Sequence, residues 1–158
     1  MTTLTYEVKC LQRRALSPST LFLDIKGGFD NVKAEVLCPS LSQKNVPHYL
    51  VAWIGFFLTK RTCSLKFQVS PCTMDPVSVG TPQGSQVSPL LFISYVAPLH
   101  QAIPCGLSLS YVDDFPITTA SPSFSDKIKI LSETFTSITT AALPLGVPFS
   151  IPKTQLIH

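Results

Sequence analysis

Charge is what this chain has least of: Asp, Glu, Lys and Arg make up only 13% of its 158 residues, against 45% hydrophobic. So sparse a set of charges predicts that part of the surface meets another segment. Long apolar runs are missing as well. The longest, Tyr49 to Leu58 and Pro89 to Leu99, fall short of the roughly 20 residues a membrane-crossing helix needs. No secretory signal opens the chain, so no membrane partner is expected. The five cysteines (Cys10, Cys38, Cys63, Cys72, Cys105) are odd in number and lack CxxC or metal-finger spacing. That argues against a disulfide framework or zinc site and for reduced, mostly buried thiols. Repeats and low-complexity tracts are absent too, and the length suits one domain with a proper core.

What charge there is lies unevenly. Residues 1–66 hold nine Lys/Arg against four Asp/Glu, and residues 67–158 hold three against five. A basic half can face a polyanion, although a scattered excess of this size is more often a solvated surface.

Residues 1–19 are weakly patterned and read as an irregular lead-in. Thr20 to Ile25 has the look of a buried strand, broken by Gly27-Gly28. Asn31 is placed to cap a helix to about Lys44, interrupted or kinked at Pro39. Pro47 opens a second helix whose apolar residues Tyr49, Leu50, Trp53, Ile54, Phe57 and Leu58 share one face, as in a core helix. Lys60-Arg61 closes it with charges that suit the helix dipole. Thr62 to Val69 and Asp75 to Val79 read as antiparallel strands turning at Pro71. Ser88-Pro89 starts a helix to about Ala102 that is apolar on nearly every side and should be buried. Leu107 to Val112 and Phe115 to Thr119 form a hairpin, in whose return strand Pro116 fits only at an edge or a bulge. Ser123 and Asp126 form a capping box for a helix with Ile128, Leu131, Phe135, Ile138 and Ala142 on one face. Two short strands, Val147 to Ile151 and Thr154 to Ile157, follow. The order predicts an α+β fold, a ferredoxin-like antiparallel sheet with helices packed on one face.

The chemistry concentrates at the tip of the predicted hairpin, in Tyr111-Val112-Asp113-Asp114. Adjacent carboxylates repel unless a cation sits between them, and a divalent metal is the obvious candidate. Mg²⁺ takes one or two carboxylates plus substrate phosphates. A third carboxylate, Asp24, ends the apolar run Leu21-Phe22-Leu23. Two-metal phosphoryl-transfer sites use such a set, with metals roughly 3.5–4 Å apart.

Four blocks complete the pattern: Phe22 to Val32, Gly80-Thr81-Pro82-Gln83-Gly84-Ser85 through Phe92, Tyr111 to Asp114, and Gly146 to Ile157 with Lys153-Thr154 inside it. In this order and spacing the chain resembles the palm of a reverse transcriptase of the kind carried by non-LTR (LINE-type) retrotransposons, over about residues 20–158. The resemblance implies an RNA-directed DNA polymerase that joins deoxynucleoside triphosphates to a primer 3′-hydroxyl. Its partners would be an RNA template, a DNA primer and the triphosphate. Its cofactors would be two Mg²⁺ ions, with Mn²⁺ as substitute, and its setting intracellular, in the nucleus. It further implies Asp24 and Asp113 as bridging metal ligands, Asp114 assisting, and the carbonyl of Ile25 as a further ligand. Phe29 matches the bulky residue beneath the sugar that clashes with a 2′-hydroxyl. Gln83 and Gly84 match the segment beside the nascent base pair, and Lys153 a lysine that could protonate departing pyrophosphate.

Gly28 stands where alanine is usual and Gln86-Val87 where Pro-Leu is common. No fingers segment is recognised ahead of residue 20 and no thumb after His158. The chain is therefore expected to be the palm of a longer polyprotein and a poor enzyme by itself. Two other readings compete. One is an inactive relic or nucleic-acid-binding module, although an RNP-like aromatic stretch is missing. The other is a different nucleotidyl transfer, disfavoured by the template-side Pro82-Gln83-Gly84.

Overall fold

A computed structural model describes residues 3–14, 16–67, 70–103, 107–108 and 113–158. The chain divides into two compact units, residues 1–26 with 97–158, and residues 27–96. Among the described residues no helix is long and apolar enough to cross a membrane.

The first unit carries helix α1 (Thr3–Arg13) and strand β1 (Ser17–Asp24). After the second unit the chain returns with strand β4 (Leu107–Ser108), strand β5 (Asp114–Ser121), helix α5 (Phe124–Leu145) and strand β6 (Gln155–Ile157). The sheet runs β4-β5-β1-β6 with antiparallel pairing throughout. Counting its strands in chain order gives 2-3-1-4, the split βαβ arrangement expected from the sequence. Tyr111, Val112 and the rest of the predicted first hairpin strand beyond Ser108 lie outside the described residues.

One face of β1, with Leu23 and Ile25, joins Phe115 and Ile117 of β5 and Leu131, Ile138, Ala142 and Leu145 of α5 in a buried apolar layer. Each fully buried side chain of this kind contributes about 1.5–3 kcal/mol. The Ser123 hydroxyl caps α5 by accepting from the Asp126 amide at 3.4 Å, one half of the capping-box-like pair read from the sequence, while the Ser123 amide donates to the Ser121 hydroxyl at 3.3 Å. Gly146 ends the helix in the left-handed region at φ 67°, where a β-carbon would be strained. The buried stripe passes through Lys127, Leu131, Thr134, Ile138, Ala142 and Leu145. It is therefore rotated slightly from the predicted one, and Ile128 stays partly exposed. Lys127 is accommodated by the Ser17 hydroxyl at 3.1 Å and the Phe124 ring.

The lead-in is not irregular. Leu4 and Val8, one helical turn apart on α1, line a cavity with Pro18, Thr20 and Phe22, on the opposite face of β1 from α5. With no fully buried residue in α1, its pattern was too shallow to stand out in the sequence.

The second unit begins with a 3₁₀ turn, Phe29–Asn31, followed by helices α2 (Ala34–Gln43) and α3 (His48–Thr59). Strands β2 (Arg61–Phe67) and β3 (Ser70–Val77) form a separate two-stranded sheet, and helix α4 (Ser88–Gln101) leads back toward the first unit. Four expectations change here. Asn31 does not cap α2; its side chain donates to the Gly27 carbonyl at 2.9 Å, and Lys33 holds the cap position. Pro71 is not the turn but pairs with Lys66 inside the ladder. Helix α3 buries Val51, Ile54 and Leu58 while Tyr49, Leu50 and Trp53 are exposed. With polar side chains only at its two ends, His48 and Thr59, the helix offers little to tell which face turns inward. Helix α4 likewise buries Leu91, Phe92, Tyr95 and Val96 but leaves Leu90 and Ile93 exposed. The free thiols of Cys10 and Cys38 are half-buried and that of Cys63 is exposed, so the expected burial is not general. Cys105 and the side chain of Cys72 lie outside the described residues.

Two stability effects follow. The Thr134 hydroxyl is buried without a hydrogen-bond partner, so Thr134→Val should stabilise the chain by about 1 kcal/mol, seen as a higher urea midpoint. Burial also pulls the His100 imidazole below its ordinary pKa, while its ring packs on Phe115 and Nδ1 meets the Ser108 hydroxyl at 2.9 Å. The unfolded chain then binds the proton more readily, so stability is complete above the unfolded value of about 6.5 and is lost as pH falls below it through the lowered folded pKa. A urea midpoint lower at about pH 5 than at pH 7.5, with a smaller difference in His100→Gln, is the expected result.

Candidate active site

Register builds the carboxylate site of the first unit. Asp24, the last residue of β1, lies directly across from Asp114, the first of β5. The Ile25 amide donates to the Asp113 carbonyl at 3.1 Å, which fixes the phase of the ladder. Hydrogen-bonded pairs alternate with non-bonded ones, so Asp24–Asp114 is a non-bonded pair, the kind that brings side chains closest. The same phase accounts for Pro116. It lies within β5 opposite Phe22, and among the described residues β4 pairs with β5 only at Ile117 and Thr118. At that non-bonded position β1 requires no amide hydrogen from it.

Like charges directly opposite one another are destabilising, and a cation is already in place. Lys153 Nζ stands 3.1 Å from Asp24 Oδ2 and 3.3 Å from Oδ1. The approach is set by main chain: the Ser150 amide donates to the Asp24 carbonyl at 2.8 Å, and the Lys26 amide to the Pro148 carbonyl at 2.9 Å. A 3₁₀ turn, Ile151–Lys153, then carries the lysine over the strand end. The lysine side chain is 68% exposed, so the pair contributes no more than about 1 kcal/mol. Phe22, Asp24, Asp114, Pro152, Lys153 and Gln155 line one open cavity of about 400 Å³. Asp113 is exposed in the turn before β5 and meets β1 through its carbonyl.

Among the described residues no three His, Cys, Asp or Glu side chains form a ready metal cage. Two opposed carboxylates with hard oxygen donors nevertheless fit Mg²⁺, which commonly binds one or two carboxylates and completes its shell with water and phosphate.

The second unit holds the other predicted residues. Phe29 is half-buried, and its ring centroid lies 5.1 Å from that of Phe92. A β-carbon on Gly28 would come within 2.7 Å of the same Phe92 ring, so the absence of the usual methyl makes room for the ring that supports Phe29. Exposed Gln83 donates to Asp30 Oδ1 at 3.3 Å, and exposed Gly84 has φ 90°. The Ser88 hydroxyl donates to the Pro82 carbonyl at 2.7 Å, tying the loop to the start of α4. Asp30 and Arg61 were not singled out from the sequence. Asp30 adjoins Phe29 in the first block, but nothing local marked it as the partner of Gln83.

A family profile described as reverse transcriptase (RNA-dependent DNA polymerase) matches residues 1–158. The chain belongs to the reverse transcriptase family. Among solved structures it is similar to apo telomerase from Candida tropicalis truncated from its C-terminal domain, at 18% identity and TM-score 0.68, covering 98% of this chain and 33% of that one. It is also similar to telomerase from Candida tropicalis in complex with a TWJ fragment of telomeric RNA, at 17% identity and TM-score 0.71, covering 98% and 28%. The corresponding Candida albicans complex matches at 15% identity and TM-score 0.71, covering 98% and 29%. At these identities the likeness is one of fold, and the chain spans a third or less of each telomerase chain. No curated protein sequence matches it.

The contact between Gly28 and Phe92 is open to a direct test. Gly28→Ala should cost about 1–3 kcal/mol by overpacking, and adding Phe92→Leu should cost less than the two single changes summed, as read by a thermal-denaturation double-mutant cycle.

Proposed function

We propose that this chain is the palm of an RNA-directed DNA polymerase that extends a DNA primer on an RNA template, from a LINE-type retroelement acting in the nucleus. The observation that carries the proposal is the opposition of Asp24 and Asp114 at one end of the sheet with Lys153 beside them. Family membership supports nucleic acid and deoxynucleoside triphosphate as substrates. The four ordered sequence blocks support the retroelement origin.

Phosphoryl transfer asks a protein mainly for positioning and for neutralising charge. Asp24, Asp113, Asp114 and the carbonyl of Ile25 would hold two Mg²⁺ or Mn²⁺ ions, which supply Lewis-acid stabilisation of the attacking and leaving oxygens. Asp24 and Asp114 would hold the ions at one strand end, with Asp113 adding a third carboxylate from the turn. Lys153 can leave Asp24, since most of its side chain is in water, and donate a proton toward departing pyrophosphate. Phe29, braced by Phe92, presents a ring that excludes a 2′-hydroxyl, while Gln83 and Gly84 run beside the new base pair. Fingers and thumb segments of a longer polyprotein would hold the triphosphate and duplex, in keeping with the share of the telomerase chains that this one covers.

The test is primer extension on a polyribonucleotide template by the purified chain with Mn²⁺ over long incubations. Weak extension is expected, because misplacement of reactants by about 1 Å can cost on the order of 10²-fold. Asp24→Asn should lower it by roughly 10²–10³-fold or more, and Phe29→Ala should admit ribonucleotides. Equal signal from wild type and Asp24→Asn would count against the proposal.

A further inference from the structure

Arg61 opens β2, and its guanidinium gathers three main-chain carbonyls. Nε donates to Leu58 at 3.0 Å, and Nη2 to Val79 at 3.1 Å and to Gly80 at 2.6 Å. Leu58 lies in the last turn of α3, where carbonyls are left without helical partners, while Val79 and Gly80 lead into the Pro82-Gln83-Gly84 loop. A rigid planar fork can hold such a set, whereas a lysine ammonium is a single point of charge on a flexible stem.

The segment that Arg61 holds lies hard against the turn bearing Phe29. The Gly80 amide donates to the Val32 carbonyl and the Thr81 amide to the Phe29 carbonyl, each at 2.8 Å. Gly80 has φ 84°, and a β-carbon there would lie 3.0 Å from the Asp30 Cα and 3.1 Å from the Phe29 carbonyl oxygen. With Gln83 bonded to the Asp30 carboxylate, one short segment holds the turn at Phe29, Asp30 and Val32. It cannot shift without dragging that turn along.

We infer that Arg61 is a positioning residue for sugar discrimination: by fixing the Val79 and Gly80 carbonyls it holds the Phe29 ring and the Gln83 amide in one register. The inference deepens the reading of Phe29 as the residue that excludes a 2′-hydroxyl and rests on it.

Two measurements on the 158-residue chain test it. Amide hydrogen exchange at Gly80 and Thr81 should accelerate roughly ten- to a hundredfold in Arg61→Lys, the effect of losing charge-assisted bonds, while exchange in β5 stays unchanged. Ligand-observed NMR with Mg²⁺, titrating dUTP against UTP, which differ only at the 2′ position, should show a several-fold preference for dUTP that narrows in Arg61→Lys and in Arg61→Gln. Phe29→Ala serves as the reference. If Phe29→Ala narrows the preference and both Arg61 variants leave it intact, the assignment of Arg61 is overturned while the reading of Phe29 stands. If Phe29→Ala has no effect, or wild type binds neither nucleotide, the reading of Phe29 fails and this inference with it. Unchanged exchange at Gly80 and Thr81, or global unfolding of both Arg61 variants by near-UV circular dichroism, would also overturn it. A lowered melting temperature with the preference unaltered would mark Arg61 as merely structural.

Discussion

Two carboxylates that repel each other are held face to face by backbone hydrogen bonds, and the rest of the first unit follows from that constraint. The ladder bond from Ile25 to Asp113 sets the register, and the register places Asp24 against Asp114. A slip of one residue would put Leu23 and Phe115 on opposite faces and turn one of them out of the core, so the apolar layer against α5 and the charged strand end are specified by the same pairing. The repulsion is then answered locally. Lys153 arrives on a turn whose main chain is bonded to Asp24 itself, so cation and anion are positioned by one strand end.

The second unit relies on close backbone approach instead of charge. Gly28 leaves room for the Phe92 ring, and Gly80 lets a loop lie against Phe29 and Asp30 at distances no side chain would tolerate. The departure from the family pattern at Gly28 thus has a packing reason in this chain. Arg61 serves these contacts from the far side, turning the unsatisfied end of a helix into an anchor for the loop.

Much of this was legible in the sequence. Local patterns announced β1, α5 with its N-terminal cap, and the four-strand order. The ordered blocks pointed to the family that the whole-chain match then showed. What escaped depended on partners distant in sequence. Helix α1 makes too little buried contact to leave a strong period. The inward face of α3 depends on α2, and the tolerance of Pro116 depends on the hydrogen-bond phase of a strand some ninety residues earlier. Arg61 read as an ordinary basic helix end because its carbonyl partners at Val79 and Gly80 come together only in the fold.

The interleaving of the two units bears on how the chain is made. Strand β1 leaves the ribosome long before β5 and β6, with all of residues 27–96 between them. At about 5–20 residues per second, β1 waits on the order of ten seconds for a partner, its Leu21, Phe22 and Leu23 side chains unburied. Residues 27–96, a compact unit by themselves, are all synthesised in that interval. The sheet that bears the carboxylates is thus the late, non-local part of folding, slowed by the long stretch of chain between its strands, and β1 is the strand that stays unpaired longest during synthesis.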